Sequence, residues 1–327
     1  MSGVGLVLAG GGGKGAYQIG VWRALQEFGV VKNIIGVSGT SVGALNAALF
    51  AQGDYSIAEN VWLSISNEQI LKYDFKQFQK QLEQAIFSIG TTGELDIAKL
   101  LLHNMSKKEN SGLFSREGLL EIIDKALDTQ YLSTSMMPCY ATCLEMPILK
   151  KTRFNLQGMN MSDIKTVLLA TSAIPFIFDE EIIDGKSYID GGVPTVGDNV
   201  PIEPLYHMGI RTFIVAHLSR DYIIDVDLYP DARIIQIVPS DHQGDLLDGT
   251  LDFSPRGAKK RMDQGYEDTH KVLKPMHDMG LIQKSISKGL NVFAEDEIAF
   301  SERRQESLHV REELKNRVFD ISFKRED

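Results

Sequence analysis

A run of five glycines and one lysine near the N-terminus is the first feature that could do chemistry: residues 10–15 read GGGGKG. The apolar residues 4–9 before the run predict a β-strand, and residues 16–28 after it have the periodicity of a helix. Consecutive glycines let the main chain approach a ligand closely, and a helix N-terminus adds positive potential. The pattern therefore predicts a loop whose main-chain N–H groups bind an anion or stabilise a developing negative charge.

Two nucleotide-binding motifs compete for this loop. A Walker phosphate loop has Ser or Thr after its lysine, whereas Lys14 is followed by glycine. The dinucleotide pattern GxGxxG fits three of the glycines, but it expects an acidic residue about 20 positions further on, at the end of the second strand. That strand ends here in residues 36–39, GVSG. The sequence therefore disfavours both nucleotide-binding interpretations.

A second motif, GxSxG, covers residues 39–43 and centres on Ser41. It lies between a predicted strand, residues 34–37, and a predicted Ala-rich helix, residues 42–51. A nucleophile elbow needs small residues on both sides of its serine, because the sharp turn leaves no room for neighbouring Cβ atoms. An N-cap serine is the structural alternative. Ser41 lies only 28 positions after Gly13, and adjacent parallel strands would bring both loops to the same sheet edge, which favours an active-site serine.

A serine nucleophile needs a base, and two candidates follow it in the chain. Asp190-Gly191-Gly192 comes after a hairpin-like segment, where an ordinary turn is the alternative. His217 ends a predicted strand, residues 212–216, and would complete a Ser-His-Asp triad. Free Asp, with a pKa near about 3.9, is a weak base, but burial would raise that pKa. In triad hydrolases of this type the serine follows several strands rather than two, so we favour a Ser41–Asp190 dyad and keep the triad as the alternative.

The elements that must position these residues alternate between short apolar runs and helix-length periodic segments. This alternation predicts an α/β fold with a mostly parallel central sheet flanked by helices. We expect residues 1–215 to form the catalytic core, with a helical insertion at about 66–114, and residues 216–327 to supply the remaining strands and a C-terminal helical extension. The further predicted elements are strands at 139–144, 152–156 and 233–238 and a helix at 116–127.

Composition excludes several classes of protein. The 327 residues carry a net charge of −10, which argues against nucleic-acid binding. No run approaches the ~18 to 20 apolar residues of a membrane span, and the N-terminus carries no leader pattern, so we expect a cytoplasmic chain. No cluster of metal-ligating residues is present in the sequence, so we expect no metal or cofactor. The locally basic residues 254–274 predict either a solvated helix face or a peripheral contact with anionic lipid.

Taken together, the motifs resemble those of the patatin-like phospholipase family over roughly residues 3–215. The glycine loop, GxSxG and Asp-Gly-Gly occur in the family's order, and residues 170–175 (ATSAIP) and 198–204 (DNVPIEP) extend the match. The resemblance implies a patatin-like three-layer architecture. It also implies a hydrolase of phospholipids, lysophospholipids or acylglycerols that needs no metal.

The resemblance also assigns roles to individual residues. It implies that Ser41 is the nucleophile and Asp190 its base. The oxyanion hole would consist of the N–H groups of the glycine loop, and Lys14 would steady the loop or an anionic part of the substrate. The implied oxyanion-hole donors are Gly11, Gly12 and Gly13.

A non-catalytic protein that uses the same loops to bind a lipid or an anion is the second hypothesis.

Overall fold

A single sheet organises the first part of the chain. The computed structural model describes residues 3–71, 116–175, 177–220 and 223–323, and these contain eight strands of one sheet. In chain order the strands are β1 (Val4–Leu8), β2 (Ile34–Thr40), β3 (Cys139–Met146), β4 (Lys150–Asn155), β5 (Glu181–Ile183), β6 (Lys186–Asp190), β7 (Thr212–Ala216) and β8 (Arg233–Ile237).

The strand order is β5-β6-β3-β2-β1-β7-β8, and β4 also pairs with β3. The five strands from β3 to β8 in this order run parallel, whereas β4, β5 and β6 pair antiparallel with their neighbours. Consecutive residues of β1, Leu6, Val7 and Leu8, are all buried, as expected for a parallel strand covered on both faces. The predicted mostly parallel α/β sheet is confirmed.

The helices of the described residues lie between and after the strands. They are α1 (Ala16–Glu27), α2 (Val42–Gln52), α3 (Tyr55–Ser64), α4 (Asn67–Leu71), α5 (Glu117–Ala126), α6 (Thr129–Thr134), α7 (Met161–Thr171), α8 (Glu203–His207) and α9 (Pro255–Phe323).

Helices cover both faces of the sheet. On one face, Val7 and Phe213 form a buried cluster with Leu205 of α8. On the other face, Leu6 packs beside Trp22 of α1 and the buried residues of α2. Side chains alternate in direction along a strand, so neighbouring residues of β1 serve two different apolar layers. The result is a helix–sheet–helix arrangement in three layers.

The chain divides into two compact units, Met1–Val272 and Leu273–Asp327. The first unit contains the sheet and the predicted site residues. Of the predicted helical insertion, only its start is described, where α4 is found, and residues 72–115 lie outside the described ranges. None of the helices in the described ranges is long and apolar enough to cross a bilayer.

Candidate active site

Ser41 occupies a sharp turn between β2 and α2. The strand ends at Thr40 and the helix begins at Val42, so a single residue connects them, with φ 55° and ψ −130°. A positive φ is uncommon for a residue with a Cβ atom, and such strain is concentrated at functional sites. The Ser41 side chain makes no capping hydrogen bond to α2, which argues against the alternative role of a helix cap.

The two glycines of GxSxG are required by contacts with the main chain. A Cβ atom on Gly39 would lie 2.2 Å from the carbonyl oxygen of Gly43. A Cβ atom on Gly43 would lie 2.2 Å from the carbonyl oxygen of Leu8. Neither contact can be relieved by rotating a side chain, because both involve backbone oxygens. The turn therefore needs glycine at both positions, which is the steric requirement of a nucleophile elbow.

Asp190 is the last residue of β6 and is buried, with 5% of its surface exposed. Its carboxylate accepts a hydrogen bond from the N–H of Gly192 at 2.7 Å. Burial raises the pKa of Asp190 to about 6, while the nearby Ser41 hydroxyl, the Gly192 N–H and the positive charge of Arg116 act in the opposite direction. At neutral pH the carboxylate is thus ionised, yet it is a stronger base than an exposed aspartate. The structure brings Ser41 and Asp190 together.

The glycine loop lies against Ser41 at the same edge of the sheet. β1 and β2 pair in parallel with Leu8 opposite Gly39, so both strands end together. A Cβ atom on Gly10 would lie 3.2 Å from the Cβ atom of Ser41. Asn199 fixes the start of the loop, since its carbonyl oxygen accepts the Gly10 N–H at 3.1 Å and its Nδ2 donates to the Gly10 carbonyl oxygen at 3.3 Å.

The predicted oxyanion donors Gly11, Gly12 and Gly13 stand at the start of a short 3-10 helix, Gly12–Gly15. The Lys14 N–H makes the first hydrogen bond of this turn, to the carbonyl oxygen of Gly11. The N–H groups of a helix's first turn have no acceptor within the helix and form the positive end of its dipole.

A Cβ atom on Gly249 would lie 2.6 Å from Cε of Lys14, so the lysine stem packs on the neighbouring turn. This contact favours the loop-supporting role of Lys14.

His217 is buried at the end of β7, and its Nε2 lies 2.9 Å from Oε1 of Gln236. β7 is separated from β2 by β1 in the strand order. The Ser41 hydroxyl, in contrast, lies close enough to the Asp190 carboxylate to lower the pKa of that group. This arrangement favours the dyad over the triad.

An apolar cavity of about 60 Å³ lies along α2, beginning at the residue that follows Ser41. Val42, Leu45 and Leu49 line it from one face of α2. Its other walls come from α3, α4, α5 and three single positions outside these helices, and almost all of its surface is hydrocarbon. These lining residues are Val61, Trp62, Ile65, Ile70, Leu119, Ile122, Ile123, Ala126, Leu127 and Phe253, with Asn46 as the polar exception.

The sequence analysis did not identify Thr171 and Arg116, which surround the pair. Thr171 Oγ1 accepts the Ser41 N–H at 3.0 Å. The Arg116 guanidinium bonds to the end of α7. The ATSAIP segment was noted, but its sequence does not indicate which of its side chains contacts Ser41.

The basic residues near the start of α9 differ in exposure. Lys259 and Lys260 are exposed, but Arg261 is buried, with 6% of its surface accessible. Its guanidinium lies 2.9 Å from a carboxylate oxygen of Asp252. Neither a solvated helix face nor a lipid contact fits Arg261, which binds a neighbouring loop, whereas both stay predictions for the exposed Lys259 and Lys260. Within the described ranges no group of three or more His, Cys, Asp and Glu side chains is placed to hold a metal ion.

Comparison with known proteins places this geometry in a family. The sequence model of the family described as "Patatin-like phospholipase" matches residues 6–206, a span that contains the glycine loop, Ser41 and Asp190. The chain belongs to the patatin-like phospholipase family. The match confirms the resemblance seen in the sequence, and it ends before His217.

Several curated proteins resemble this patatin-like chain. Patatin-like phospholipase domain-containing protein 7 of Rattus norvegicus is 25% identical over 229 residues, 70% of this chain and 14% of its own length. Neuropathy target esterase sws of Drosophila melanogaster is 24% identical over the same length, with the same coverage. Lysophospholipase nte1 of Aspergillus terreus is 57% identical over 49 residues, 15% of this chain and 3% of its own length. The chain thus spans a seventh or less of these relatives.

Solved structures similar to this chain include VipD from Legionella pneumophila and the type III effector protein ExoU. VipD has a TM-score of 0.41 at 16% identity, with 84% of this chain and 67% of VipD covered. ExoU has a TM-score of 0.43 at 16% identity, with 85% of this chain and 54% of ExoU covered.

Proposed function

We propose that this protein is a serine acyl hydrolase of lipid esters that uses a Ser41–Asp190 dyad and a glycine-loop oxyanion hole. One observation carries the proposal: a buried carboxylate lies near the hydroxyl of a serine that occupies a strained turn between a strand and a helix. An N-cap serine or an ordinary Asp-Gly-Gly turn would need neither the strain nor the buried carboxylate.

The reaction begins when Ser41 Oγ attacks the carbonyl carbon of the ester and the Asp190 carboxylate takes the hydroxyl proton. The negative charge that develops on the carbonyl oxygen is stabilised by the N–H groups of Gly11, Gly12 and Gly13. One such donor contributes about 3 to 4 kcal/mol in well-studied hydrolases. The intermediate then expels the alcohol, which takes the proton from Asp190, and an acyl-serine remains. Water, deprotonated by Asp190, attacks the acyl carbon. The bond from that carbon to Ser41 Oγ then breaks, the fatty acid leaves, and Ser41 Oγ takes the proton back from Asp190.

The apolar cavity that begins at Val42 supports a lipid substrate. A hydrocarbon wall of this kind gains free energy by taking an acyl chain out of water, at about 0.8 kcal/mol per buried CH₂ group. The relatives are described as phospholipases or lysophospholipases, which agrees with a phospholipid, lysophospholipid or acylglycerol substrate. The acyl chain would lie along α2, with the ester at Ser41.

A fluorophosphonate probe tests the nucleophile, because it reacts only with an activated serine. The wild-type protein should become labelled at Ser41 and should hydrolyse long-chain lysophosphatidylcholine or monoacylglycerol. Ser41→Ala should abolish both. Ser64→Ala is a matched control, because this exposed serine bonds only to a carbonyl of its own helix. Folded wild-type protein that is not labelled and hydrolyses no ester would overturn the proposal and favour a non-catalytic binder.

A further inference from the structure

The C-terminal end of α7 touches the main chain of both members of the candidate dyad. The hydroxyl of Thr171, the last residue of the helix, accepts the Ser41 N–H at 3.0 Å and donates to the carbonyl oxygen of Thr142 at 2.5 Å. Two residues later, the carbonyl oxygen of Ala173 accepts the Asp190 N–H at 3.0 Å. One short segment therefore bonds to the backbone of the nucleophile and to that of its base.

The Thr171 hydroxyl both donates and accepts a hydrogen bond, and both of its partners belong to the protein. Thr171 and Thr142 are both fully buried, at 0% exposure. The bond matters most for Ser41, because that residue has a positive φ and its N–H bonds to the side chain of Thr171. A buried N–H left unpaired at this position would favour a different backbone conformation, and the hydroxyl would then leave Asp190.

Arg116 holds the same helix end from the other side. Its Nη1 donates to the carbonyl oxygen of Ser172 at 3.0 Å, its Nη2 donates to Ser172 Oγ at 3.2 Å, and Nη2 also donates to the carbonyl oxygen of Leu169. The last carbonyls of a helix have no partners within the helix, and a cation there also faces the negative end of its dipole. A planar guanidinium can reach several carbonyls at once, whereas a lysine ammonium is a point charge.

We propose that Thr171 and Arg116 are positioning residues of the Ser41–Asp190 pair. Arg116 holds the end of α7 in place, and Thr171, at that end, holds the backbone of Ser41 through its hydrogen bond. Neither residue touches the reacting atoms. The inference rests on the proposed function, since it concerns the alignment of that dyad for acyl transfer.

The guanidinium also acts on the base through its charge. It opposes the effect of burial on the pKa of Asp190, and its other charged neighbours are Glu181, whose Oε1 lies 3.6 Å from Nε, and Asp179. Removing the charge should therefore raise the pKa of Asp190 further and move the acidic limb of the kcat profile to higher pH. Replacing it with another cation should leave that limb near its wild-type position.

The experiment compares ester hydrolysis by the wild type and five variants under identical conditions. Thr171→Val keeps the shape of the side chain and removes the hydroxyl, Thr171→Ser keeps the hydroxyl, and Thr166→Val makes the same change on α7 where the hydroxyl bonds only to its own helix. We expect kcat to fall at least about tenfold in Thr171→Val, since small misplacements of a nucleophile are costly, with KM within about twofold. Thr171→Ser and Thr166→Val should retain the wild-type kcat. Arg116→Lys and Arg116→Gln complete the set.

Arg116→Lys keeps the proposal testable if Thr171→Val is too unstable to assay, because Arg116 retains some exposure. We expect it to lower kcat several-fold without moving the acidic limb, whereas Arg116→Gln should lower kcat and also move the limb to higher pH. An unchanged kcat in either folded Thr171→Val or folded Arg116→Lys would overturn the inference while leaving the dyad intact. A wild-type protein that hydrolyses no ester and is not labelled by a fluorophosphonate would overturn the proposed function together with the inference.

Discussion

Replacing Asp190 with asparagine removes a buried carboxylate and keeps a side chain of nearly the same size. Burial raises the pKa of this carboxyl group from 3.8 to about 6 in the folded protein. Each pKa unit corresponds to about 1.4 kcal/mol, so the ionised side chain destabilises the folded state by about 3 kcal/mol relative to its protonated form. The asparagine side chain cannot ionise and carries no such pH-dependent contribution.

The direction of the effect follows from the order of the two pKa values. As the pH rises above about 4, the unfolded chain loses the Asp190 proton first, and the folded protein loses it only near pH 6. The folded state therefore binds more protons in this interval, and the stability that Asp190 contributes falls as the pH rises through it. Between pH 4 and pH 7 the free energy of unfolding of Asp190→Asn, relative to that of the wild type, should rise by about 2 to 3 kcal/mol.

Activity should change with pH in the opposite direction. The base must be ionised, so the wild-type kcat should rise with pH with a midpoint near 6, while Asp190→Asn should be inactive throughout. Urea unfolding of both proteins at several pH values from 4 to 7.5 gives the difference in free energy, in which any constant effect of the lost hydrogen bonds cancels. If the free energies of unfolding of the two proteins change with pH in parallel, and the wild-type kcat has its acidic limb near pH 4, the pKa of Asp190 is not raised by burial and the reasoning is refuted.

Three further substitutions test separate parts of the site. Gly43→Ala should prevent stable folding, because its Cβ atom would lie 2.2 Å from the Leu8 carbonyl oxygen. Gly280→Ala is the control: no atom lies within 4 Å of its Cβ position, and alanine favours a helix over glycine, so thermal unfolding should show α9 stabilised by about 1 kcal/mol. His217→Ala should lose about 1 to 3 kcal/mol of stability through its bond to Gln236 but keep the wild-type kcat; loss of turnover in a folded variant would support the triad. Leu49→Trp should fill the apolar cavity and lower kcat/KM for long-chain esters relative to butyrate esters, and equal losses for both would argue against an acyl-chain site.

Much of the first unit could be predicted from local sequence signals. β7 was predicted at its observed bounds, Thr212–Ala216, because its apolar run is bounded by polar residues. β2, by contrast, extends three residues beyond its predicted end, through Ser38, Gly39 and Thr40. These small or polar residues lack a strand's usual apolar signal. They remain in the strand because they pair with β1 and β3 on either side.

The contacts that set the chemistry could not be predicted in the same way. The residue that accepts the Ser41 N–H lies 130 positions away in the chain, and no periodic pattern indicates that pairing. The pKa of Asp190 depends on how completely other elements cover it, and the buried position of Arg261 depends on a carboxylate in a different loop. Motif order predicted which groups would react, whereas the hydrogen bonds around them could be seen only in the tertiary structure.

Trapping of the acyl-enzyme tests the dyad most directly. Acid quenching of the wild-type protein during turnover of a long-chain p-nitrophenyl ester, followed by peptide mass spectrometry, should reveal one acyl group on the peptide that contains Ser41. The adduct should be absent from Ser41→Ala and should form at least about a hundredfold more slowly in Asp190→Asn. Turnover with the acyl group on another residue, or acylation of Ser41 at the wild-type rate without the Asp190 carboxylate, would contradict the mechanism.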